Sequence, residues 1–103
     1  MLTLSKSKRF EVELRQAFRN GLSRGDWEYL EYLFLKGAPL PEEFDEHPLT
    51  DNWQGYWDCH LAGDLIVVYK RTPRKITLAA IGTHQELLRH RKNRGVWRWL
   101  TGG

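Results

Sequence analysis

Apolar residues recur at helical spacing near the start of the chain. Phe10, Leu14, Ala17 and Phe18 stand at i, i+4, i+7 and i+8, which puts one stripe on a single helix face. Gly21 is placed to stop that helix. Asp26, after Gly25, is placed to cap a second one with the stripe Trp27, Leu30, Leu33 and Phe34, closed by Gly37 and followed by Pro39. Together the two segments predict a helical hairpin. Ahead of it, the alternation of Leu2 and Leu4 predicts a short edge strand. Residues 38–52 form an acidic connection punctuated by Pro39, Pro41 and Pro48. Loops of that length in a small domain are functional or mobile.

The period then changes from helical to alternating. Strands are predicted over residues 53–60, 64–71 and 75–81, and their three-residue connections require antiparallel neighbours. Alternation puts Gln54, Tyr56, Asp58 and His60 on one face of the first strand, and Trp53, Gly55, Trp57 and Cys59 on the other. The second set is expected to pack on the hairpin, the first to line a shallow groove ending at His60. Thr83-His84-Gln85-Glu86 matches a capping box and opens a helix running through Leu87 and Leu88. The predicted fold class is α+β: an N-terminal helical hairpin packed on a small, mainly antiparallel β-sheet with a short C-terminal helix. At 103 residues it makes a single domain, 1–103.

With 41% hydrophobic and 28% charged residues, the chain has the balance of a globular protein and not of a disordered one. Cys59 is its one cysteine, so no internal disulfide forms and a cytoplasmic location is expected. The start lacks the apolar core of a signal peptide, and no apolar run is long enough to span a bilayer, so no membrane partner is expected. Charge is uneven. Residues 1–60 carry 7 Lys/Arg against 11 Asp/Glu, whereas residues 61–103 carry 9 against 2. A basic half suits a polyanionic partner, and it is equally the pattern of a solvated basic face.

Three histidines fall in or beside this sheet region, and each has a carboxylate or turn nearby. His47 precedes Pro48, which favours extended backbone, and alone it reads as a surface loop residue. His60 ends a polar strand face. Asp64 lies just across the turn and is expected within reach of it, where an ordinary ion pair is the equal alternative. His84 falls in the first turn of the capped helix, where an imidazole stays neutral beside a natural anion site or merely shields the helix end. Three imidazoles and a carboxylate suffice for acid–base cleavage of RNA. They are also metal-ligand types, but no close pair has ligand spacing and the one thiol lies on the opposite strand face, so no metal or other cofactor is expected.

Taken together, these segments resemble the YafQ branch of the RelE/ParE toxin superfamily of bacterial toxin–antitoxin modules. The likeness runs through Pro39-Leu40-Pro41, Asp45-Glu46-His47-Pro48-Leu49, Trp53-Gln54-Gly55-Tyr56, Asp58-Cys59-His60, Asp64, the strand from Ile66 to Lys70, and Gly82-Thr83-His84 with Leu87. It implies a RelE-like fold and a ribosome-dependent mRNA endonuclease held inactive by a cognate antitoxin. The implied catalytic positions are His47, His60, Asp64 and His84. Lys70, Arg71, Lys75 and Arg89 would offset phosphate charge. Implied partners are the antitoxin, the ribosomal A site with its ribosomal RNA, the mRNA, and operator DNA for the toxin–antitoxin complex. Two positions depart from the family pattern: Leu65 stands where Trp is common, and Leu88 where an aromatic is expected. Loss of a base-stacking aromatic costs about 1–3 kcal/mol. Two non-cleaving readings stand beside the nuclease, a ParE-like gyrase inhibitor and a ribosome-binding inhibitor. Beyond the resemblance, residues 91–103 form a basic extension in which Trp97 and Trp99 interleave with Arg91, Lys92, Arg94 and Arg98. That composition suits RNA contact, or the tryptophans fold back on the sheet.

Overall fold

Two serine-capped helices form the hairpin. The computed structural model describes residues 2–88; Arg89 and the extension at 91–103 lie outside them. The first stripe becomes α1 (Lys8–Arg19), opened by Ser7, whose Oγ accepts the Phe10 N–H at 2.9 Å. The second becomes α2 (Arg24–Lys36). Its cap is Ser23 and not Asp26, because the Asp26 N–H donates to Ser23 Oγ at 2.9 Å. Asp26 instead sits in the first turn, where its carboxylate faces the positive end of the helix. Gly37 closes α2 with a left-handed φ of 70°, a conformation that costs glycine little.

Five strands make one mixed sheet: β1 (Thr3–Lys6), β2 (His47–Pro48), β3 (Trp57–Ala62), β4 (Leu65–Arg71) and β5 (Lys75–Thr83), in the order β1-β5-β4-β3-β2. β1 is the expected edge strand, and it runs parallel to β5; the other pairs are antiparallel. β3 starts at Trp57, later than predicted from alternation. Residues Asp51–Trp53 coil into a 3-10 turn, and Gly55 takes a φ of 93° that breaks the extended run. α3 (His84–Leu88) follows β5 directly.

A bulge in β5 decides which residues face the helices. Val68 pairs with Ala80 but Tyr69 with Leu78, so Ala79 is the extra residue. Ser7 reads it: its N–H bonds Leu78 O at 3.0 Å and its Oγ–H donates to Ala79 O at 3.1 Å. Ile76 and Leu78 before the bulge, and Ile81 after it, therefore share the helix-facing core with Phe10, Leu30, Phe34, Cys59, Val67 and Tyr69. Phe34 meets Tyr69 edge-on at 4.8 Å between ring centroids. Truncating this fully buried ring, Phe34→Ala, is expected to cost about 3–5 kcal/mol, read as a fall in the urea midpoint at constant slope.

The opposite face is not simply an open groove. Leu49, Ile66, Val68, Ala80, Leu87 and Leu88 form a second, smaller core there, with Trp53 and Tyr56 packed against it. Leu49, Trp53 and Tyr56 from the loop, with Leu87 and Leu88 from α3, thus cover part of the face expected to be open. His47, His60 and His84 stay partly exposed at the end of this face.

Candidate active site

Register brings the site together. Thr83, the last residue of β5, pairs with Leu65, the first of β4, so Asp64 and His84 meet from twenty positions apart in sequence. His84 Nδ1 lies 3.3 Å from Asp64 Oδ1. A carboxylate only accepts, so Nδ1 carries the proton in this contact. Asp64, expected within reach of His60, also acts on it through its charge, but its hydrogen-bond contact is with His84. The capping box forms as predicted: the Glu86 N–H donates to Thr83 Oγ1 at 3.1 Å and the Thr83 N–H to Glu86 Oε1 at 3.0 Å. Gly82 permits the close fit, since a Cβ there would meet Glu86 Oε1 at 3.0 Å and Leu87 Cγ at 3.3 Å.

His60 reaches the same spot from β3, where it pairs with Ile66. Its ring stands edge-to-face with His84, 4.9 Å between centroids at 64°. On its other side is Asp45, whose Oδ2 lies 3.8 Å from His60 Nε2 and whose Oδ1 accepts from His47 Nε2 at 3.0 Å. Asp45 therefore links two of the three histidines. The sequence reading quoted it within a motif but gave it no role; its left-handed backbone, φ 49°, points the carboxylate back at its neighbours.

Glu46 fastens the strand that holds His47. Its carboxylate accepts from the Tyr69 hydroxyl and from Arg71 Nη2, the latter at 3.1 Å. Arg71 is thus engaged by Glu46. Lys75 begins β5 while the site lies at its other end, about 26 Å away along the strand. Lys70 is exposed, 5.5 Å from the Tyr56 ring centroid, and Arg89 falls outside the described residues.

Burial lowers the His60 pKa below its ordinary 6.5, and positive charge on His84, then on His47, lowers it further, against the opposing pull of Asp45 and Asp64. Adjacent imidazoles resist double protonation, which is one cause of the lowered His60 value. Asp58 is a second group the sequence reading passed over. It lies opposite His47, fully buried, and neither carboxylate oxygen has a hydrogen-bond partner among the described residues. Burial, then the charges of Asp45 and Glu46, push its pKa up to about 8. No composition signal separates such a residue from a solvent-facing strand aspartate.

A cleft of 330 Å³, lined in part by Tyr29, Phe44 and Gly63, opens onto His60 between α2 and the Glu42–Phe44 turn. Among the described residues no group of three His, Cys, Asp or Glu is placed to hold a metal ion, and no helix is long and apolar enough to cross a membrane.

A helical hairpin on a mixed sheet, with a three-histidine, multi-carboxylate cluster at one sheet end, is the architecture of a small α+β protein equipped for proton transfer. The family model for the bacterial toxin of type II toxin–antitoxin systems, YafQ, matches residues 2–89, and the chain belongs to that family. The mRNA interferase toxin YafQ of Escherichia coli (strain B / BL21-DE3) is 32% identical over 82 residues, 79% of this chain and 89% of its own length. Among solved structures, a chain of the E. coli DinJ-YafQ complex matches with a TM-score of 0.77 and 29% identity, over 85% of this chain and 99% of that one. YafQ from E. coli strain BL21(DE3) matches at 0.79 and 28%, with the same coverage of both.

Proposed function

We propose that this toxin is an mRNA interferase, an endoribonuclease that cuts messages on the ribosome and is silenced by a cognate antitoxin. The observation that carries the reading is the edge-to-face His60–His84 pair with a carboxylate on each member. Similarity to relatives named mRNA interferase, and to the toxin of the DinJ-YafQ complex, supports the substrate and the partner.

The lowered His60 pKa suits the base, and the His84 ring beside it is assigned the acid. His60, in its neutral form, takes the proton from a ribose 2′-OH as its oxygen attacks the adjoining phosphorus. The bond from phosphorus to the 5′-oxygen breaks, and His84 gives that oxygen its proton. The products are a 2′,3′-cyclic phosphate and a 5′-hydroxyl. Asp64 stabilises the imidazolium of His84 and fixes which nitrogen faces the substrate. His47, anchored through Asp45, stands as a phosphate contact at the rim, and Lys70 adds positive charge beyond it.

Mapping message 5′ ends in bacteria minutes after induction, with and without a translation block, tests the proposal. New ends confined to translated messages are expected. Growth arrest without new ends would replace the nuclease by a ribosome-occluding or gyrase-directed toxin.

A further inference from the structure

Leu88 is 1% exposed and packed among Leu49, Ile66 and Val68, so it offers no surface to a nucleobase. An aromatic surface exists nearby. Trp53 and Tyr56, both partly exposed, meet edge-to-face at 5.3 Å on the histidine-bearing side of the sheet. The Trp53 Nε1–H donates to Leu87 O at 3.4 Å, which ties the indole to α3 about one helical turn from His84. Each ring carries a cation. The Arg9 guanidinium lies 5.9 Å from the Trp53 centroid and the Lys70 ammonium 5.5 Å from that of Tyr56. Arg9 arrives from the start of α1, 44 positions before Trp53 in sequence, and it is held by Glu13 at 2.9 Å.

From this arrangement we infer that Trp53, with Tyr56, Arg9 and Lys70, is a stacking platform for an unpaired mRNA base next to the scissile phosphate. The inference rests on the nuclease reading and adds the subsite that positions its substrate. Base–aromatic stacking tolerates any base, because each has a π-face, and the two cations are placed to exchange their ring contacts for backbone phosphates. Both flanking groups are basic, so each ring of the pair has a phosphate-binding charge beside it.

Single-turnover cleavage of a defined message on programmed ribosomes tests this with Trp53→Leu, Trp53→Phe, Arg9→Gln and Lys70→Gln. Trp53→Leu is expected to raise the half-saturating toxin concentration roughly 5- to 150-fold, the range of one lost stacking contact, with the pH profile unmoved. Trp53→Phe, which keeps a ring but loses the N–H, should recover most of it. An abasic nucleotide beside the cleavage point should harm the parent as much as Trp53→Leu does, and the two losses should not add. Equal damage from Phe and Leu would make Trp53 a strut for α3 instead and overturn the platform. So would additive losses at every abasic position, which would move the stacked base to ribosomal RNA or remove it. Should Trp53→Leu not fold, Arg9→Gln and Lys70→Gln still decide, each expected to lower the salt dependence of binding by about one phosphate contact. A parent that cleaves nothing fails the nuclease reading itself; a parent that cleaves while all four variants match it fails only the platform.

Discussion

Replacing His84 by Ala is expected to slow single-turnover cleavage roughly 10²- to 10⁴-fold, the usual contribution of a positioned proton donor, while ribosome affinity changes little. Asp64→Asn should lose less, since it leaves the imidazole in place and removes only the charge 3.3 Å from Nδ1. The two losses should fall short of additive because both act through one proton. The same variant reports on His60. The positive charge of His84 lowers the His60 pKa, so its removal should raise the His60 titration point, read by NMR on the ring protons. In the parent, the base must be unprotonated, so the rate should fall with acid only below the ordinary imidazole value of 6.5. Activity within tenfold of the parent after His84→Ala would remove His84 from the chemistry.

Asp58→Asn should change the pH dependence of stability. Folded Asp58 keeps its proton up to about 8, whereas the unfolded chain releases it near 3.8. Between those values the native state binds more protons, so stability falls as pH rises, by up to about 1.4 kcal/mol per unit. At pH 7 the accumulated cost is on the order of 4 kcal/mol for this buried carboxyl. Asparagine has no proton to lose. The difference between parent and variant should therefore be small near pH 4 and grow in the variant's favour towards pH 8, measured as paired urea midpoints. Parallel pH profiles would show that Asp58 finds a partner in solution. Its position opposite His47 makes the same comparison informative for activity, since a carboxylate formed there would bear on the ring across the strand pair.

The helical hairpin was legible because 3.6-residue periodicity survives in the chain as written. Phe10, Leu14 and Ala17, and Trp27, Leu30, Leu33 and Phe34, are the residues each helix buries. The capping box at Thr83–Glu86 was legible for the same reason, being local within four residues. The cap of α2 was misplaced by three positions, because Ser23 and Asp26 both carry capping chemistry and only backbone geometry selects between them. Alternation likewise put Cys59 on the helix face correctly but ran β3 back through Gly55, whose positive φ no period reveals.

By itself the sequence determined the main element types, the buried stripes of the two helices and the residue types available for acid–base chemistry, because each follows from spacing over a few positions. Tertiary structure alone decided the rest. The parallel pairing of β1 with β5, the Ala79 bulge and the Thr83–Leu65 register depend on contacts between segments far apart in sequence. They place Asp64 against His84, bring Asp45 between His47 and His60, and bury Asp58 with no hydrogen-bond partner among the described residues. Which carboxylate meets which imidazole is set by strand register, and a one-residue slip would turn every side chain of a strand to the other face.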